Sequence, residues 1–298
     1  MKRGINILTI IFLLVSILTL SHLYYIHSFS AEENDPQDGY LLSEINKNAL
    51  LIVAHDDDII GCTGTLKILS ENGWNIREMC FYQLEDTRFK KDSIKNPIRK
   101  KDLKRAASIQ GLSGIDPVDF NFRDFAMEKT RFPIPKDSFT QKYDIDSLAR
   151  YIEDYIANYR PSVIFTLDNE IGLYGHPEHL LVSQLIMDYC KKHKIDSGFT
   201  VKKIYQPVFP TSIVQSILEG GVYTDAKRVY GIDGMPLPDV EVDESAYNKQ
   251  RKAAMQAYTT EQGSIKRIYP FYNWYPSWIY FNLICKEEYY RVIDIKDF

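Results

Sequence analysis

Cysteine, excess basic charge and internal repetition are all in short supply in this chain. The four cysteines, Cys62, Cys80, Cys190 and Cys285, are widely scattered, lack the paired spacing of a zinc knuckle and do not require a disulfide. A formal net charge of −4 gives no electrostatic basis for binding nucleic acid, and no internal repeat or long low-complexity segment points to a solenoid or a disordered chain. The single basic run, Arg88 to Arg105, sets nine Lys and Arg against Asp92 and Asp102. It reads as a solvated helix face, with an anionic substrate group near Arg99 as the alternative. Histidine is scarce too: there are six, and three fall in two short clusters.

The first cluster is His55-Asp56-Asp57-Asp58, directly after the apolar run Ala49 to Ala54; the second is His176-Pro177-Glu178-His179. Residues 49–54 have the length and continuous apolarity of a buried parallel strand. Ile60, Leu66, Ile68 and Leu69 then follow with helix-like spacing up to Gly73. The acids therefore lie in a strand-to-helix turn, at the end of a strand where open α/β sheets bind ligands. Asp58 as a plain helix cap is the bland alternative. In the second cluster Pro177 suits a first helical turn, so residues 175–179 read as a loop entering a helix through Leu180, Leu181, Leu185 and Ile186. Two histidines and a carboxylate can hold a divalent metal at three points and leave a position for water.

An apolar strand, Ala-His-x-Asp-Asp, a glycine-containing helix start and a later Tyr-Gly-His-Pro-acid-His together resemble the PIG-L (LmbE-like) zinc-dependent N-deacetylases. The resemblance runs from about Ala49 to Gln262. It implies that His55, Asp58 and His179 ligate zinc, that Asp57 is the general base, and that His176 stabilises the oxyanion or acts as general acid. Tyr174 would reach the substrate carbonyl, Arg99 and Asp124 would bind substrate, and Glu178 would keep His176 charged. Lys249 and Gln262 fit a weaker C-terminal pattern. Three positions depart from the family pattern: Asp56 stands for a proline, Ile59 for a glutamate and Thr63 for a common glycine. The implied activity is removal of the N-acetyl group from an N-acetylglucosamine-containing glycan or glycoconjugate. Amide hydrolysis suits such a site, because a metal polarises a poor electrophile and acidifies a poor nucleophile.

Two rival readings use the same residues. His55-x-Asp57 with a distant histidine fits a 2-His-1-carboxylate iron(II) oxygenase, which in its common setting calls for an all-β chain. A glycan-binding domain that has lost turnover would explain Asp56 and Ile59.

Lys2 and Arg3 precede an apolar stretch from Ile5 to Leu20, continued by Leu23 to Ile26 and closed by Glu32 to Asp35. Residues 1–30 therefore read as a signal peptide cleaved after Ser30 or as an uncleaved signal anchor, with the catalytic part exported. Residues 31–40 read as a polar linker and 41–298 as one α/β domain. Strands expected at 76–82, 118–122, 162–167 and 201–208 alternate with helices near 95–110, 146–159, 177–193 and 245–257. That alternation predicts a three-layer, Rossmann-like sandwich around a mostly parallel sheet. The aromatic-dense segment from Tyr269 to Tyr290, with Trp274, Tyr275 and Trp278, reads as core or edge-strand packing, or as sugar stacking at a cleft rim.

Overall fold

The computed structural model describes residues 7–81, 95–125 and 132–298. Lys2, Arg3, residues 88–94 of the basic run and the side chain of Ile59 lie outside that description. Seven strands form one sheet in the order β3-β2-β1-β4-β5-β7-β6. These are β1 (Asn48–Val53), β2 (Asn75–Phe81), β3 (Gly114–Val118), β4 (Val163–Phe165), β5 (Lys203–Val208), β6 (Val240–Asp243) and β7 (Glu287–Asp294). β1 to β5 are parallel, whereas β7 runs antiparallel to β5 and β6 antiparallel to β7.

β1 shows why the architecture has three layers. Its residues are buried on both faces, as a central parallel strand requires. Ala49, Leu51 and Val53 join one apolar cluster, and Leu50, Ile52 and Ala54 join the other. On the first face lie α2 (Thr63–Glu71) and α3 (Lys95–Gln110). On the second lies α5 (Ile145–Tyr159), after the short α4 (Phe139–Lys142). α5 buries Leu148, Ile152 and Ile156 at helical spacing, is capped by the Asp144 side chain accepting from Ser147 N–H at 3.3 Å, and ends on Arg160 in the left-handed region. The distorted turn α6 (Gly172–Gly175) leads into α7 (Pro177–His193) on the same face. The chain continues through α8 (Thr211–Ile213), α9 (Gly221–Tyr230), α10 (Asn248–Ala257), α11 (Gln262–Ile268) and α12 (Ser277–Ile284). α10 packs beside α2 and α3.

The expected helices 95–110 and 177–193 match α3 and α7 end to end. The strand expected at 118–122 instead occupies 114–118, through Pro117, because β3 is an edge strand where a missing N–H costs no ladder bond. β6 and β7 escaped the strand reading. β7 begins Glu-Glu-Tyr-Tyr-Arg, a charged start that hides a strand whose Glu288, Tyr289 and Tyr290 are buried. Tyr269, Tyr272 and Tyr280 are core residues, whereas Trp274 and Trp278 are exposed. All four cysteines are buried free thiols.

The expected linker 31–40 is tied down. Glu33 accepts from Ser212 N–H at 2.9 Å, Asp38 N–H donates to Glu241 O at 2.9 Å, and Gln37 bridges to β6. α1 (Ile7–His27) projects from the domain along most of its length.

Candidate metal centre

Sheet order explains how clusters 120 residues apart meet. β1 and β4 are adjacent parallel strands, but β2 flanks β1 on one side and β5 flanks β4 on the other, so the winding reverses between them. Such a switch point opens a crevice at the carboxyl ends of the strands. His55 follows β1 there, and the chain leaving β4 reaches His176 and His179 at the start of α7. The turn after β1 is closed locally, with His55 N–H donating to Asp58 Oδ2 at 2.8 Å.

Three ligand-type side chains converge. His55 Nδ1 lies 2.9 Å from His179 Nε2, His179 Nε2 lies 3.1 Å from Asp58 Oδ1, and His55 Nδ1 lies 3.3 Å from Asp58 Oδ2. Nitrogen and oxygen ligands about 2.0–2.1 Å from a tetrahedral metal stand about 3.3 Å apart, so this spacing fits a divalent ion. The other nitrogen of each ring is already engaged: His55 Nε2 with Glu178 Oε2 at 2.9 Å, and His179 Nδ1 with the Gly172 carbonyl at 3.1 Å. With the outer nitrogens held by those acceptors, the two inner nitrogens and the Asp58 carboxylate are left to share a positive charge, which a proton or a metal ion can supply. His176 also offers an atom within 4.8 Å of the other two histidines, making a three-histidine set among the described residues.

The electrostatics favour positive charge at this point. Burial opposes protonation of His55, but Asp58 and Glu178 outweigh it and push the imidazole up to about 10. Burial likewise works against the Asp58 carboxylate, yet His179 and His55 hold it well below its ordinary range.

Glu178 does not act on His176 as expected. It is fully buried and paired with Arg123, through Nε and through Nη2 at 2.8 Å, and it orients His55. Arg123 and His55 keep its carboxyl ionised against the cost of burial. His176 caps α7 instead, its Nδ1 accepting from Glu178 N–H at 3.3 Å. An accepting Nδ1 leaves a neutral ring with its proton on Nε2. Burial, with His179 and His55 nearby, lowers its pKa well below the usual imidazole value. The ring stacks on His179 at 4.5 Å. The protonated resting His176 that the sequence implied is therefore replaced by a neutral donor.

Arg99 is also differently engaged. It is buried against the fully buried Asp56, through Nε at 2.8 Å and through Nη2, with Asp57 at 3.5 Å and Glu261 at 3.4 Å. The charge added where the family has proline is thus neutralised inside the protein. Asp57 has a fifth of its side chain exposed; burial and the adjacent Asp58 raise its carboxyl to about 7, with Arg99 partly offsetting them. Asp124 has an exposed side chain, whereas its neighbour Arg123 is the buried partner of Glu178. Lys249 is exposed, and Gln262 is spent inside the fold on the Met255 and Tyr258 carbonyls and the Tyr272 hydroxyl.

Sequence reasoning missed Asp168. Fully buried after β4, it accepts from the N–H groups of Glu170, Ile171, Gly172 and Leu173 at 3.1, 2.7, 3.1 and 2.5 Å. That cage holds Gly172 and Leu173 at positive φ and so aims the Gly172 carbonyl at His179. The sequence signal was an acid closing a strand and followed by Asn-Glu-Ile-Gly, a weak one by itself. Tyr174, on the same turn, stands edge-on to His179 at 5.4 Å. Asp57, Asp58 and Tyr174 face a cavity of about 810 Å³ including its mouth, whose other walls include Leu167, Leu173, Phe209 and Ile265.

A strand-switch crevice with a His/His/Asp triad defines this as an α/β protein with a candidate metal centre. Comparison with known proteins narrows the class. The family described as PIG-L, GlcNAc-PI de-N-acetylase, matches residues 50–190. A 1D-myo-inositol 2-acetamido-2-deoxy-alpha-D-glucopyranoside deacetylase from Acidothermus cellulolyticus is 29% identical over 128 residues, covering 40% of this chain and 42% of its own length. The chain therefore spans less than half the length of that curated relative. Among solved structures, the N,N'-diacetylchitobiose deacetylase of Pyrococcus horikoshii superposes with a TM-score of 0.50 at 15% identity, covering 87% of this chain and 90% of that one. The 4-carboxy-2-hydroxymuconate hydratase GalB from Pseudomonas putida superposes with a TM-score of 0.52 at 16% identity, covering 83% and 96%. The LmbE-like fold is shared by both, and a hydratase among its holders means that the fold does not select the reaction. The mixed α/β sheet also removes the all-β setting of the iron oxygenase reading, and the carboxylate beside both imidazoles is Asp58, not Asp57.

Proposed function

We propose that this chain is a zinc-dependent hydrolase that removes the N-acetyl group from an N-acetylglucosamine-containing glycan or glycoconjugate. The observation that carries the reading is the pair of oriented imidazoles, His55 Nδ1 and His179 Nε2, 2.9 Å apart beside the Asp58 carboxylate. His55, Asp58 and His179 would hold the ion, which supplies Lewis acidity toward the amide carbonyl and toward water. Asp57, next to a ligand and open to the cavity, takes the proton from the attacking water and returns it to the leaving nitrogen. His176 offers its Nε2–H to the carbonyl oxygen as charge develops, and Tyr174 lines the cavity beside Asp57 and Asp58. Arg99 and Asp124 are the proposed substrate contacts, Arg99 acting from its anchorage on Asp56. Residues 41–298 form the catalytic domain in this reading. α1 anchors it to the membrane with the site on the exported side.

The test is acetate release by the full chain in detergent against a panel of N-acetylglucosamine conjugates, with metal content measured on the same preparation. About one zinc per chain is expected, as for a single open three-ligand site. Chelation should abolish release and zinc should restore it. Full zinc occupancy in both His55→Ala and His179→Ala would overturn the assignment, and metal without acetate release from any conjugate would favour the glycan-binding reading. A reporter fused after residue 298 that works only outside the cytoplasm should be active.

A further inference from the structure

α1 is apolar enough to cross a bilayer, with a mean hydropathy of 2.2 and none of its most apolar window buried. Ile7, Leu8, Phe12 and Leu18 are each more than two-thirds exposed. Its last turns behave differently. Ile26 is fully buried in the domain core and Leu23 packs against the same cluster. His22 Nδ1 meets the Tyr275 hydroxyl at 2.6 Å, and its ring lies 5.3 Å from Trp274 at 20° and 4.7 Å from Phe271 at 82°. His27 Nδ1 meets the Leu283 carbonyl of α12 at 2.8 Å. The end of the helix is thus a part of the fold.

Length then fixes where the domain stands. A spanning helix needs about 20 apolar residues for a hydrocarbon core of about 30 Å. α1 is described from Ile7, so 15 of its residues precede His22, roughly 22 Å at 1.5 Å per residue. For α1 to span, His22 to Ile26 must lie at the outer edge of the bilayer. Whatever packs on His22 lies there too. Trp274 and Trp278, on the segment that grips the helix, are 70% and 64% exposed, and Tyr24 is 80% exposed. An indole or phenol with an apolar body and a polar tip is the side chain that favours the headgroup level.

We propose that His22–Ile26 and the segment Phe271–Trp278 form one uncleaved collar that seats the domain directly on a lipid bilayer, with Trp274 and Trp278 inserted at the headgroup level. The proposal rests on α1 being a membrane anchor, and it excludes removal of the leader after Ser30, which would strip Ile26 from the core.

The chain's tryptophan content makes the seat measurable. There are three, and Trp74 is buried in the core. The full chain is reconstituted in vesicles of phosphatidylcholine brominated near the top of the acyl chains, and its emission is compared with that in unbrominated vesicles. The expected loss is up to about two thirds, since two of three tryptophans face lipid. Trp74→Phe should then show nearly complete quenching, and W274F/W278F none. An alkali-resistant, membrane-integral protein whose Trp274 and Trp278 are not quenched would overturn the collar while leaving the anchor standing. A protein released from vesicles by alkali, or one recovered from cells beginning near residue 31, would overturn both.

Discussion

Asp57 and Asp58 are neighbours in one turn, yet the proposed function gives them different work, so their asparagine variants should fail differently. Asp58 faces His179 at 3.1 Å and His55 at 3.3 Å, and it accepts the His55 backbone N–H at 2.8 Å. Asn in its place keeps an oxygen for that N–H, so the turn survives, but it removes one of the three proposed ligands and the negative charge between the imidazoles. Asp58→Asn should lose zinc and activity together. The strongest described partner of Asp57 is Arg99 at 3.5 Å, an ion already held by Asp56, so Asp57→Asn should fold and bind zinc as the wild type does. Removing a positioned general base costs about 10²–10⁴-fold in turnover, or about 3–5 kcal/mol of barrier. Acetate release and elemental zinc, measured on one preparation of each variant, separate the two roles. His176→Ala should follow Asp57→Asn, with metal kept and turnover lost. Wild-type acetate release by zinc-loaded Asp57→Asn would refute the reasoning and leave Asp56 as the next candidate base.

Other consequences concern the supports of the site. Arg99→Met should lower stability by about 3–5 kcal/mol in denaturant unfolding, because the fully buried Asp56 carboxylate loses its counter-charge; R99M with Asp56→Asn should recover much of that loss. Asp168→Ala strands up to four N–H groups at about 1–3 kcal/mol for each one that water cannot reach, and hydrogen exchange at residues 170–173 should accelerate. Unchanged exchange there would show that the turn holds itself. Glu44 gives a pH dependence remote from the metal: burial opposes its charge, but Lys202 and Tyr40 hold its carboxyl at about 2 against an ordinary 4.5. A depressed carboxyl stabilises the fold above about pH 4.5 and loses that contribution as pH falls toward 2, so Lys202→Met should flatten the pH dependence of stability across that window.

Much of this was readable in the chain itself. The apolar run before His55, the helix-like spacing of Leu66 and Leu69 after it and Pro177 at a first turn are local signals, set by what a few consecutive residues can bury or hydrogen-bond. They placed both histidine clusters at element ends, and the family resemblance named the residues to watch. Partnership was not readable. Which acid meets which base depends on β1 lying beside β4, and only the folded sheet pairs Arg99 with Asp56, Arg123 with Glu178, and Glu178 with His55 in place of His176. Those contacts set which nitrogens of His55 and His179 face the shared centre, because the other nitrogen of each ring is engaged outside it. Residues 31–40 and the end of α1 look like linker and leader by composition, yet Glu33 finds its partner on α8, Asp38 on β6 and Ile26 a place in a core cluster of the domain. Composition sets whether a segment can be buried; the surface it meets, set by residues far along the chain, decides whether it is.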